Sequence, residues 1–200
     1  PRSLSDHRVS LFYWFNGLFV RPNIELSIIA MRLFNTIFFL GLFYLARKSA
    51  SETLLSKFVL TLIVTSVPSA LFLVNSNNSS SWTFLGSGFA WFFAHQTVIE
   101  DSRKRRIIAI CGLTVASLLS MGSRSENAVF IPLQICSISV LGILNHRDRG
   151  NVRRALLLCT TSIILGTIFY THSNAQNVVL GGFLGPDDET PIIRIGRHVF

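Results

Sequence analysis

Apolar runs about as long as a bilayer core is thick alternate with short polar islands along this chain, and few folds satisfy that constraint. The runs are Glu25–Ala46, broken only by Arg32; Leu54–Val74, with Pro68 near its far end; Trp82–Ile99; Ile107–Met121; Ala128–Leu144; and Ala155 to about Thr171. A helix that crosses a membrane needs roughly 20 predominantly apolar residues. Charged residues make up 14% of the 200 and fall between the runs instead of coating a surface, while half of the chain is apolar, with 17 phenylalanines. Lipid offers unpaired backbone no partner, so the runs are expected to be helices and the breaks hairpins that reach water. The expected fold is all-α, a polytopic transmembrane helix bundle. Its parts are an extracytoplasmic or interfacial segment (1–24), a bundle of about six spans (25–172) and an extracytoplasmic loop segment, re-entrant or not (173–200).

The net charge of +8 is informative only by position. Arg47, Lys48 and Lys57 flank the first hairpin; Arg103, Lys104, Arg105 and Arg106 the third; Arg147, Arg149, Arg153 and Arg154 the fifth. The two hairpins between them are "NSNNSSS" (75–81), without charge, and "GSRSEN" (122–127), where one arginine is offset by one glutamate. Basic residues in short loops mark the cytoplasmic side, so both ends are expected outside the cytoplasm, in an inner or plasma membrane. The basic runs are too short and too confined between spans for nucleic acid, and the expected partner is the lipid bilayer. Cys111, Cys136 and Cys159 all lie in apolar runs, without C-x-x-C spacing, and read as packing residues. The chain opens on Pro1 with polar residues behind it, neither a signal peptide nor a natural start, and a fragment of a longer chain is expected.

Several polar residues are candidates for function. Arg124 and Glu126 sit at the mouth between the fourth and fifth runs, either as a solvated turn or with Arg124 facing a cavity and presenting its planar fork to a phosphate. Arg32 lies about eight residues into the first run, so it faces a polar cavity or snorkels to the headgroups. His95 and Gln96 suit interhelical hydrogen bonding. Asn78, with Asn75, Asn77 and the neighbouring serines, forms a neutral hydrogen-bonding loop that suits sugar hydroxyls or a plain hairpin. Asp187, Asp188 and Glu189 follow Gly185-Pro186 and make either an exposed turn or an oxygen-ligand site for a divalent cation; no other cofactor is expected. Residues 6–23, rich in aromatics, read as an interfacial helix or the tail of an incomplete span.

"MRLFNTIFFLGLFYLAR", "VPSALFLVNSNNSSSWTFLGSGFAW" and "SLLSMGSRSENAVFIPL" resemble the middle of a family of predicted multi-pass bacterial membrane proteins of unknown function, often grouped with the GT-C glycosyltransferases. Pro68 and Asn78 match the family's proline and the asparagine of its Asn-Pro pair, with Ser79 in place of the second proline. "FLGPDDETP" is loosely similar to a Phe-Gly-Trp-x-Asp-Thr stretch without its tryptophan, and "VSLFYWFNGLF" to a Pro-Pro-x-Tyr-Tyr segment without its prolines. The resemblance implies a transferase working at the outer face on a polyprenyl-phosphate-linked sugar, with an acidic catalytic base in a first outer loop that would precede residue 1. It implies that Arg124 holds the lipid phosphate and that Asp187 or Asp188 contributes to the outer pocket. Two other classes stay open. "GSR" before an apolar span is similar to an O-antigen polymerase or ligase, and a transporter or flippase for a lipid-linked glycan would use the same lining without chemistry.

Overall fold

The computed structural model describes residues 11–20, 22–65, 78–124, 126–145 and 148–172. These form seven helices and no strand: α1 (Leu11–Gly17), α2 (Ile24–Ser49), α3 (Glu52–Thr65), α4 (Ser79–Ile99), α5 (Arg103–Ser123), α6 (Asn127–Asn145) and α7 (Arg149–His172). The all-α membrane bundle expected from the hydropathy pattern is what the chain adopts. Of the six expected spans, the four now carried by α2, α5, α6 and α7 are both long and apolar enough to cross a bilayer. The second expected span, Leu54–Val74, begins in α3 but continues into residues 66–77, which lie outside the described ones. The third is α4, which has the length, at 21 residues, but spends it on serine, glycine, His95 and Gln96 rather than aliphatic side chains.

That composition suits the place α4 occupies. It touches α1, α2, α5, α6 and α7, and Phe58 of α3 reaches its Phe89 and Phe92 rings at 5.4 and 4.3 Å between centroids. A helix wrapped by other helices needs small and aromatic side chains for close packing, because lipid tails are as apolar as leucine and supply no hydrophobic drive between spans. The periphery is the reverse. Only 17% of the apolar window is buried in each of α2 and α7, against 56% in α5. The large aliphatic residues of α2, such as Ile29, Leu33, Ile37 and Leu40, face outward.

Glycines let two helix pairs approach at the backbone. A Cβ on Gly86 would stand 2.6 Å from the Ala116 carbonyl oxygen and 2.7 Å from the Ser120 Cβ, so α4 and α5 meet backbone to backbone there. Gly166 of α7 lies against the Ala128 carbonyl and the Pro132 ring of α6. Pro132, inside α6, has no N–H to give the carbonyl four residues earlier.

The helix ends differ from the sequence expectation in one respect: the basic residues assigned to hairpins are helical. Arg103–Arg106 open α5, Arg149, Arg153 and Arg154 lie in the first turns of α7, and Arg47 and Lys48 close α2. Lys and Arg are good helix formers with long apolar stems, so helices run out of the hydrocarbon into the headgroup layer instead of stopping at its edge. Arg154 also ties α7 to the end of α4. Its Nη1 donates to the carbonyls of Val98 and Glu100, both at 3.2 Å, which are the unpaired acceptors a helix C-terminus leaves.

Candidate functional site at the end opposite the basic runs

The end opposite the basic one is shaped by polar side chains from four helices. Asn78 caps α4, its Oδ1 accepting from the Ser80 N–H at 3.0 Å, and Asn23 does the same for α2 at the Leu26 N–H, 3.2 Å. One turn into α4, Thr83 shares a 2.8 Å hydrogen bond with the Ser123 hydroxyl of α5. The Asn127 amide of α6 donates to Thr83 Oγ1 and to the Ser120 carbonyl, both at 2.9 Å. Ser87 and Ser120 share a further bond at 3.2 Å, and Gln134 Nε2 donates to the Ser87 carbonyl at 3.0 Å. The network locks α4, α5 and α6 in register, since each polar group in an apolar bundle must find a partner.

Arg124 and Glu126 sit directly on this network, in the turn from α5 to α6. Arg124 ends α5 in an extended conformation, and its carbonyl accepts the Asn127 N–H at 3.1 Å. Its guanidinium is 3.9 Å from the Glu126 carboxylate, with the two side chains 46% and 38% exposed. This is a half-solvated ion pair, worth below about 1 kcal/mol, so it does not tie up the arginine.

Arg32 comes to the same end. The Trp82 indole N–H donates to Asn35 Oδ1 at 2.8 Å, which fixes the height of α2 against α4. Arg32 lies three residues before Asn35, just under a full turn and about 4.5 Å along the axis, and Ser79 lies the same distance before Trp82. Arg32 is therefore level with the start of α4, although it is eight residues into its own helix. It is exposed. Counting from the start of α2 overstates its depth, because α2 begins well before α4 does.

Trp82 is also the hub of an aromatic cluster. Phe12 and Phe15 of α1 lie 5.2 and 5.9 Å from its ring, and Phe38 of α2 lies at 5.7 Å. Short helix α1 thus closes this end, burying Phe12 while Tyr13 and Trp14 face out, as an interfacial segment would.

A profile described as "Predicted membrane protein (DUF2142)" matches residues 9–182. The chain belongs to the DUF2142 family of predicted membrane proteins. No curated protein and no solved structure matches it.

Of the residues singled out in the sequence of this family member, Arg32, Asn78, Arg124 and Glu126 share one end of the bundle. Asp187, Asp188 and Glu189 lie outside the described residues, as do Asn75 and Asn77. Among the described residues no group of three or more His, Cys, Asp or Glu side chains is placed to hold a metal. Gln96 is buried and its Nε2 meets no partner among the described residues. The network residues Thr83, Ser87, Ser120, Ser123, Asn127 and Gln134 were not singled out. Their one sequence signal is helical spacing of small polar residues, Thr83 with Ser87 inside the third apolar run and Ser120 with Ser123 across the end of the fourth.

Proposed function

We propose that this protein serves cell-envelope glycan assembly, transferring a sugar from a polyprenyl-phosphate carrier at the rim formed by Asn78, Arg124 and Arg32, which faces away from the cytoplasm. The observation that supports this reading is the gathering of two exposed arginines and a hydrogen-bonding asparagine at one end of the bundle. A rigid side-chain network underlies them. In the transfer an acceptor hydroxyl forms the new bond to the sugar C1 and loses its proton to a base, the carrier phosphate departs with the bonding electrons of the old C1–O bond, and a guanidinium held at the rim stabilises the phosphate charge through two parallel hydrogen bonds. Glu126 exchanges its place beside Arg124 for the phosphate.

The orientation draws support from the other end. The first turns of α5 and α7 contain no acidic residue, although cations there oppose the helix dipole by roughly 0.3–1 kcal/mol each. An anionic cytoplasmic leaflet offsets that by about 1 kcal/mol per Lys or Arg near its surface. In intact cells a cysteine at exposed Asn78 is expected to react with an impermeant maleimide, and one at Ser102 is expected to react only after lysis. Equal labelling of the two overturns the orientation.

Arg124→Lys keeps the charge but loses the fork, and Arg124→Gln loses both. At matched protein levels each is expected to slow transfer from a polyprenyl-phosphate-linked sugar by roughly 10- to 100-fold, the worth of a charge-assisted hydrogen bond of about 1.5–3 kcal/mol. Wild-type rates in both variants reduce Arg124 to a turn residue and remove the support for the rim as the reacting site.

A further inference from the structure

An apolar groove of about 410 Å³ runs between α2 and α5, walled by Phe38 and Tyr44 of α2 and Val115 of α5. Gly41 makes a notch in its floor, with nothing within 4 Å of where its Cβ would stand. The volume falls in the range of roughly 300–1,000 Å³ that small ligands occupy.

The end of the groove nearer the basic side is charged. Lys48 follows Tyr44 by one turn on the same face, and its Nζ lies 5.5 Å from the centre of the Tyr44 ring. On α5, Lys104 precedes Val115 by eleven residues, three turns, and so falls within about 20° of the same face. It is exposed. Helix α2 runs parallel to α4, since Asn35 meets Trp82 and, further along both helices, Phe39 meets Phe89, and α4 runs antiparallel to α5. The Lys48 end of α2 and the Lys104 end of α5 therefore point the same way: past the level where Tyr44 and Val115 line the groove, Lys48 stands about 6 Å further out and Lys104 about 16 Å, so the two lysines are staggered by roughly 10 Å along the axis on the basic side.

We infer that this groove binds one anionic phospholipid of the leaflet at the basic end, its acyl chain laid over Gly41 and its phosphate between Lys48 and Lys104. The site is at the opposite end from the proposed transfer rim and does not depend on that reading. An acyl chain fits because a groove at bilayer depth offers water no partner and offers hydrocarbon an aromatic wall. A phosphate fits because a lysine is a mobile point charge that reaches a headgroup without demanding one geometry.

The test is native mass spectrometry of the purified chain in an equimolar mixture of dioleoyl-phosphatidylglycerol and dioleoyl-phosphatidylcholine. The wild type is expected to retain phosphatidylglycerol in preference. Lys48→Gln/Lys104→Gln is expected to lower that preference by roughly 10- to 30-fold. Gly41→Leu, which suits a helix and fills the notch, is expected to lower retention of the lipid with both lysines in place. Arg47→Gln/Arg105→Gln removes the same charge from the adjacent positions, each about 100° around its helix from the lysine, and is expected to leave the preference intact. An equal fall in that control, or no fall with Gly41→Leu, overturns the proposal. So does a wild-type dimer, free of lipid, that Gly41→Leu takes apart, since the occupant is then a second copy.

Discussion

Gly86→Val is expected to destabilise the detergent-solubilised protein by about 3 kcal/mol, the upper part of the usual range for overpacking a tight interior. The neighbours of the added Cβ are a backbone carbonyl, a backbone nitrogen and the Cβ of Ser120, all at 2.6–2.8 Å. None of these is the free end of a side chain, so α4 and α5 must separate. Separation also strains the Ser87–Ser120 and Thr83–Ser123 hydrogen bonds that flank the contact. Gly41→Ala is the counterpart: with open space around it, the same loss of glycine flexibility is expected to be neutral or stabilising by up to about 1 kcal/mol. Reversible unfolding in sodium dodecyl sulfate reads both. Equal stability of Gly86→Val and wild type refutes the backbone contact as the element that sets the helix spacing.

Trp82→Ala is the second large effect, expected at about 3–5 kcal/mol. Trp82 is 1% exposed and touches rings from α1 and α2, so truncation leaves a cavity that three separate segments would have to close together. Trp82→Phe separates the two contributions. It keeps most of the ring packing and removes the donor to Asn35 Oδ1; hydrogen bonds between membrane helices measure about 0.6 kcal/mol on average and up to about 1.7. A cost near 1 kcal/mol is therefore expected for Trp82→Phe, and a cost in Trp82→Phe/Asn35→Leu smaller than the sum of the two single changes, since each alone already removes the shared bond. A loss below about 1 kcal/mol in Trp82→Ala would mean that α1 and α2 are not held to α4 through this side chain.

Both tests concern contacts that hydropathy does not reveal. The apolar runs around α2, α5, α6 and α7 announced four helices within a few residues of their observed ends, because hydrocarbon thickness and backbone pairing act on any local window of sequence. The same reading placed the arginine runs in hairpins, since it weighed charge against lipid without allowing the stems to climb through the headgroups. Asn78, Arg124 and Glu126 were visible as polar residues in short breaks. Thr83 and Ser120 were not, because a threonine or serine in an apolar run looks alike whether it bonds across helices or to its own preceding turn, and Asn127 read as one more polar residue of the 122–127 hairpin.

What the sequence determined by itself was the membrane class, the helical form of the runs and the charge difference between the two ends, each a sum of local preferences. Only the tertiary structure decided that α4, with more serine and glycine than the other spans, is the helix the rest surround. It also decided that Arg32 stands level with Asn78 at the rim, and that Lys48 closes over Tyr44 at the end of one apolar groove. These follow from the height and rotation of each helix against its neighbours. Those two variables are set by a few long-range contacts, the Gly86 backbone approach and the Asn35–Trp82 bond above all, which no window along the chain contains.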